Sequence, residues 1–515
     1  MMQTQERPLE EIPLLSTRWF HSLAFVLLVP FFAPSAPAQE QPAKLTIHWD
    51  KIQRVSKTTA TLQVVVNPPL RRGTPVHDNA FGALHDLRAD YVRFVPWLPY
   101  PKLGVAELDP PQQGKTSWDF SLIDPIVSDF LEATKGHPVV LNFSTIPQWM
   151  FKTEKPVPYP ADANAVVWNY EQGQELRDAN PQQVAEYYAR LLAWYTQGGF
   201  TDELGKRQES GHHFTIPIWE VLNEVEAEHQ MSPEFYTLIY DAVVTAMLRV
   251  QPQTKFVGLA LAYPGGNPRF FEYFLDHRNH QPGVSLDYIS YHFYASPTPG
   301  ESPEVQQYTF FAQADGFLNV VRYVESIRQR LSPDTRTMIN EVGSIRDNDN
   351  DSSPTVNGPR QIPASYWHLS GALYAYLYAE LTRIGIDVVG ESQLVGYPTQ
   401  FPSVSMVDWE TGKPNPRFRV LQLIHDNFGP GDRIVEMEIS DPYVAALAVV
   451  TPSGQHRLLL INKREQPVEL PIAGAANAQE QFVDMSTGSA APVSRKLASD
   501  KVTLGGFSVA VLTMP

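Results

Sequence analysis

The sequence predicts an α/β protein: a (β/α)₈ TIM barrel with a smaller C-terminal β-sandwich domain. Strand-like and helix-like stretches alternate from about residue 61 to residue 430, the order that builds a parallel sheet covered by helices. Beyond about Arg433 the pattern changes to short alternating strands separated by Gly, Pro and Asn turns. A chain of 515 residues suits one large barrel plus a smaller domain, and 43% hydrophobic residues can fill both cores.

Taken in order, residues 1–38 read as an export leader. Arg18 precedes the apolar stretch Leu23 to Ala33, and Ala36-Pro37-Ala38 offers a small-residue cleavage site. Glu6, Glu10 and Glu11 outnumber Arg7 and Arg18, an acidic balance unusual for such a leader. The stretch is shorter than the roughly 20 residues of a spanning helix. A secreted or periplasmic protein, free of the membrane once the leader is cleaved, is therefore expected.

Residues 39–430 are assigned to the barrel. Its strands are predicted near Thr61–Val66, Tyr91–Val95, Pro138–Phe143, Thr215–Leu222, Phe256–Leu261, Tyr288–Tyr294, Thr337–Glu341 and Ile386–Gly390. Between them, Leu122, Ile123, Ile126, Val127, Phe130 and Leu131 mark one helix face, with Gly136 as its stop. Ser232-Pro233-Glu234 supplies an N-cap, a first-turn proline and an acidic residue to another helix. Residues 431–515 form the sandwich, with strands such as Tyr443–Val450, Arg457–Ile461 and Val509–Leu512, and a strand near 45–49 can join it. The 45 prolines exceed the average usage of about 5% and cluster between elements, which implies long structured loops of the kind that carry barrel sites.

Composition excludes whole classes of chemistry. Zero cysteines remove thiolate catalysis, iron–sulfur clusters, cysteine zinc sites and disulfides. A formal net charge of -16 and a pI near 5.3 oppose nucleic acid as a partner, since polyanion binding needs basic surface. Asp347-Asn348-Asp349-Asn350-Asp351 has the look of a calcium loop, but Ser352 stands where the turn glycine belongs and Gly358 where the bidentate glutamate belongs. It reads as a solvated acidic loop, and no metal or other cofactor is expected.

Two strands end in carboxylates. Ile218-Trp219-Glu220-Val221-Leu222-Asn223-Glu224 and Thr337-Met338-Ile339-Asn340-Glu341 would each deliver a glutamate to the barrel mouth. Two such groups about 5–5.5 Å apart can attack a sugar and then hydrolyse the covalent intermediate. Either glutamate alone reads equally well as half of a structural ion pair; together they favour the catalytic pair Glu224 and Glu341. Asn223 is placed to hydrogen-bond a sugar 2-hydroxyl. His292 and Tyr294 share one face of their strand, inside the barrel or outside it, and are assigned to orienting substrate and nucleophile. Arg93 is a charge within an apolar strand; if buried it needs a carboxylate, with Glu341 the natural candidate, and otherwise it makes an outward ion pair. Trp97, Tyr100, Trp149 and Tyr397 are candidate walls for stacking on sugar faces, or ordinary packing.

These segments resemble glycoside hydrolase family 39, of the clan of retaining barrel glycosidases that includes β-xylosidases and α-L-iduronidases. The likeness runs from about Ala89 to Gln422 through Tyr91-Val92-Arg93-Phe94, Trp118-Asp119-Phe120-Ser121-Leu122-Ile123-Asp124, Ile146-Pro147-Gln148-Trp149, Glu220 to Glu224 and His292-Phe293-Tyr294. The resemblance implies that Glu224 is the acid/base, Glu341 the nucleophile, and Asn223, His292 and Tyr294 part of the sugar subsite. It implies an oligosaccharide or polysaccharide substrate, with a β-xylosidase-like activity favoured. Val225 stands where the family has Pro, Leu222 where it has Trp, and Val342-Gly343 follow the nucleophile in place of the usual residues. Those departures leave room for arabinofuranosidase, glucuronidase or endo-acting specificity, or for a carbohydrate-binding barrel without turnover.

Overall fold

The computed structural model describes residues 44–515, apart from 156–158, 169, 171, 348 and 350–361. The leader expected over 1–38 lies outside the described residues. Of the acidic loop 347–351 only Asp347 and Asp349 fall within them, and the Asp349 carboxylate accepts from the Ser403 backbone N–H (3.1 Å) and hydroxyl (2.7 Å).

After β1 (Leu45–Val55), eight parallel strands close a barrel in chain order: β2 (Thr59–Val65), β3 (Val92–Val95), β4 (Val139–Leu141), β5 (Ile218–Glu220), β6 (Lys255–Leu261), β7 (Tyr288–Ala295), β8 (Arg336–Ser344) and β9 (Val388–Glu391). These are the eight regions expected from the sequence. Strand β4 is apolar throughout, and β6 is apolar after Lys255, because a parallel sheet wrapped by helices is buried on both faces. Each strand is followed by a helix: α1 (His77–Leu87), α2 (Asp124–Ala133), α3 (Gln182–Thr196), α4 (Pro233–Val250), α5 (Arg269–Phe274), α6 (Pro303–Leu331), α7 (Ala364–Ile384) and α8 (Pro416–Asn427). Helix α4 starts where its capping signal stands. The Ser232 side chain accepts from the Phe235 N–H at 3.2 Å, a cap worth about 1 kcal/mol.

The strands that follow the barrel, β10 (Arg433–Ile439), β11 (Val444–Val450), β12 (His456–Asn462), β13 (Val468–Pro471), β14 (Gln479–Val483), β15 (Val493–Lys496), β16 (Lys501–Leu504) and β17 (Val509–Thr513), are antiparallel. They form a seven-stranded sheet of order β1-β10-β11-β12-β17-β14-β15 and a two-stranded sheet of β13 and β16. Alternation along β11 explains the layering. Ala446 and Ala448 face Val468, Leu470, Val502 and Leu504 of the small sheet, while Leu447 and Val449 join the barrel core. Helix α7, between barrel and sheet, is apolar around most of its circumference, as a helix covered on both sides must be. Gly385, left-handed at φ 96°, stops it. Packed this way, the sheet braces the barrel on the side of α7 and α8 and also touches the start of α6, where the Glu465 N–H donates to Gln307 at 3.0 Å.

Candidate active site

The site is built on irregular strand ends. Beyond β5 the chain turns through Leu222 (φ 63°) and Glu224 (φ 42°), left-handed positions that cost a residue with a Cβ on the order of 1–3 kcal/mol. Neighbouring contacts hold them there. In β6 the register against β7 shifts between Leu259 and Leu261, and the displaced Ala260 carbonyl accepts the Glu224 N–H at 2.8 Å. The Tyr236 hydroxyl donates to the Val221 carbonyl (3.0 Å) and accepts from the Leu259 N–H (2.7 Å), tying both strand ends to α4. Strand β8 is irregular at the same depth, with register shifts between Met338 and Glu341 against β7 and between Ile339 and Val342 against β9. Gly390 on β9 makes room for this, because a Cβ there would meet the Asn340 carbonyl oxygen at 3.0 Å.

Arg93, fully buried on β3, is the hub beneath these ends. Its Nε donates to Glu220 (2.5 Å), Nη1 to Gln63 (2.8 Å) and Glu341 (2.5 Å), and Nη2 to the Asn223 carbonyl oxygen (2.6 Å). Burying a guanidinium requires such partners, and two carboxylates and two amides supply them. Glu220 is itself saturated: Asn142 (2.6 Å), Ser290 (2.5 Å) and Asn340 (2.8 Å) also donate to it. The Asn223 amide then has one orientation, with Nδ2 donating to Glu228 at 2.8 Å.

Above this base sit Glu224, His292 and Glu341, with one donor atom from each lying within 4.8 Å of the others. The His292 Nδ1 is 2.9 Å from Glu224 and Nε2 is 3.6 Å from Glu341. Burial alone would disfavour a charged ring, but Glu341 and Glu224 outweigh it and raise the His292 pKa. Glu341 accepts from the Tyr294 hydroxyl at 2.6 Å. Burial would push its carboxyl up, yet His292, Arg93 and Tyr294 hold it below the ordinary carboxylate value. Glu341 is therefore a fixed anion, while the Glu224 side chain, 21% exposed against 9% for Glu341, is the carboxyl that water reaches more readily. The trio has donors enough for a divalent cation. However, Arg93 and Tyr294 already occupy both Glu341 oxygens, and Arg93 supplies the positive charge such an ion would bring.

Tyr294→Phe tests this electrostatics. Removing a hydrogen bond to a charged group should lower kcat/KM by about 10–100-fold, from ~1.5–3 kcal/mol. The acidic limb of the pH profile should move to higher pH, since Glu341 loses one of the groups that keep it ionised. A pH–rate profile unchanged in position would refute the role given to the phenol.

Asn223, Glu224, His292, Tyr294 and Glu341 line one cleft of about 800 Å³. His292 and Tyr294 thus face inward, and Arg93 pairs with Glu341 as expected, although it lies under the cleft and acts through the groups it holds. Trp149 is not brought to the cleft. The 3-10 turn Gln148–Met150 folds its indole into the core, 8% exposed, where Nε1 donates to the Glu107 carbonyl at 3.0 Å. Of the other aromatics, Trp97 lines the cleft and donates to Glu228 (2.7 Å), whereas Tyr100 is buried against Thr399. Sequence reasoning missed Gln63, Glu220 and Glu228. Gln63 and Glu220 had a signal, a polar residue within an apolar strand. Glu228 had none beyond standing four residues after Glu224; burial and the charge of Glu224 push its carboxyl above the ordinary range.

Comparison with known proteins adds a frame to this geometry. A family model described as D-apionate lactonase, C-terminal immunoglobulin-like domain, matches residues 442–512. No curated protein matches the chain in sequence. Among solved structures, the GH51 arabinofuranosidase from Xanthomonas axonopodis pv. citri superposes with a TM-score of 0.62 at 14% identity, over 92% of this chain and 100% of that one. A glucosidase from Croceicoccus marinus gives 0.57 at 15% identity (92% and 99%). The GH30 endoxylanase from Clostridium papyrosolvens C71 gives 0.55 at 13% identity (92% and 99%). At these identities the likeness is one of architecture, and it extends over barrel and β-domain together.

Proposed function

We propose that the chain is a retaining glycoside hydrolase that cleaves O-glycosidic bonds by double displacement. The observation that carries this reading is the pair of carboxyl groups of Glu224 and Glu341, within 4.8 Å of each other at the mouth of the barrel. That separation suits a covalent glycosyl intermediate, whereas inversion needs room for a water, at about 6.5–9.5 Å. Glu341, held ionised by Arg93, Tyr294 and His292, attacks the anomeric carbon. Glu224 protonates the leaving oxygen and then deprotonates the water that releases the sugar. Asn223, its carbonyl fixed by Arg93 and one amide N–H by Glu228, has its second N–H for the sugar. The glycosidases among the structural neighbours support a carbohydrate substrate.

Within that class we favour a β-xylosidase-like activity on the family 39 resemblance, in an exported protein, with arabinofuranosidase, glucuronidase and endo-acting specificities as the alternatives. The match of residues 442–512 to a domain of D-apionate lactonase supports a second reading, hydrolysis of a sugar lactone at the same carboxyl pair. A screen against aryl glycosides, polysaccharides and aldonolactones separates these. Release of nitrophenol with retained configuration is the expected result. Activity on lactones alone would establish the second reading, and silence toward all three a binding protein.

A further inference from the structure

The cleft is two-sided. One side, from the segments after β2, β3, β5 and β9, carries Gln63, Trp97, Asn223 and Gln393 beside the two catalytic candidates. The other runs over the ends of β6 and β7 to α6 and is lined by Tyr263, Gly265, Phe293, Ser296, Phe317 and Val320. Among the described residues its polar side chains are Tyr263, Ser296 and Gln313, against Gln63, Asn223, Gln393, His292, Tyr294 and the two glutamates across the cleft. Gln313 accepts from the Ser296 N–H (2.9 Å) and donates to the Ser296 carbonyl (2.8 Å), which ties its amide to that backbone and leaves one N–H over. Phe293 and Phe317 stack at 4.6 Å between centroids, which presents a carbon wall rather than a hydrogen-bonding one. The arm is also shaped by close packing, because a Cβ on Gly265 would come within 3.3 Å of Val320.

A sugar carries hydroxyls that must be paired when water is stripped from them, and an unpaired buried polar group costs about 1–3 kcal/mol. The side of the catalytic candidates carries more groups for that need than the largely apolar arm does. Glu224, which must protonate the departing oxygen, lies at the end of β5, next to β6 whose following loop starts the arm. We infer that the apolar arm is the leaving-group subsite and takes an apolar alcohol, aromatic or alkyl, in place of a second sugar. This deepens the hydrolase reading and rests on it. It also departs from the oligosaccharide or polysaccharide substrate that the sequence suggests. Burial of the aglycone in the arm supplies binding that a small leaving group forfeits.

The test is a series of alkyl glycosides, methyl through hexyl, of the sugar that the aryl-glycoside screen identifies. Alkanols of this series leave with nearly equal acidity, so the chemistry is constant and only contact with the arm changes. Values of kcat/KM should rise about threefold per methylene, and the hexyl glycoside should exceed a disaccharide of the same linkage. A benzyl glycoside that matches or exceeds the hexyl one assigns the arm to an aromatic alcohol; the reverse assigns it to an alkyl chain. Val320→Asp, on a partly exposed helix face, should cut the hexyl-to-methyl ratio by about tenfold. A flat series, or a disaccharide preferred over the hexyl glycoside, in an enzyme that does hydrolyse aryl glycosides, overturns the aglycone assignment alone. Inactivity toward aryl and alkyl glycosides alike overturns the hydrolase reading and this inference with it.

Discussion

Glu341→Ala should abolish turnover of every glycoside, by on the order of 10⁴-fold or more, because no covalent intermediate can form without the attacking carboxylate. Glu224→Ala should behave differently, and the difference assigns the roles. With a nitrophenol leaving group, which departs without protonation, the first step survives and the glycosyl-enzyme accumulates for want of a base to activate water. Added azide, which needs no such base, should restore turnover and yield a glycosyl azide with the anomeric configuration of the substrate. Rescue of Glu341→Ala to an azide of retained configuration, with Glu224→Ala yielding the inverted azide, would reverse the two assignments. Full activity in both variants would place the site elsewhere.

Arg93→Met should lower stability by about 3–5 kcal/mol at pH 7, read as a fall in the midpoint of urea unfolding. Methionine fills the space of the side-chain stem but leaves Glu220 and Glu341 buried without their shared cation. The pH dependence has a definite sign. The Glu341 pKa is depressed in the folded state, so its pairing stabilises fully above the ordinary carboxylate value and that contribution is lost as pH falls through the depressed one. The gap between wild type and Arg93→Met should therefore narrow on acidification. Equal stability of the two proteins at pH 7 would show that the guanidinium does not hold the site together.

The eight barrel strands were legible because parallel strands buried on both faces leave uninterrupted apolar runs such as Val139–Leu141 and Val388–Val389. Glu224 and Glu341 stood out because each ends such a run. What the sequence withheld is pairing across the barrel. Arg93 could be matched to Glu341, the better-marked strand-end glutamate, but its bond to Glu220 arises from the approach of β3 and β5 inside the closed barrel, where no local pattern points. Trp149 shows the same limit: its segment is recognisable, while a three-residue 3-10 turn decides whether the indole faces cleft or core. The apolar arm depends on the middle of α6, Gln313 to Val320, meeting the end of β7, and a helix pattern does not tell which strand end it meets.

The first strand and the tenth belong to one ladder, Leu45 opposite Ile439 and Val55 opposite Arg433, with the whole barrel threaded between them. During synthesis, residues 45–55 leave the ribosome before any barrel strand does, and must wait for β10. Closing so long a loop costs little more than closing a moderate one, since the entropy grows only with the logarithm of length. Its kinetic consequence is larger, because pairing this non-local forms late. Until then β10 presents an open edge to other chains. The β-domain is thus completed last by the segment that is made first, and aggregation during refolding should begin at that waiting edge.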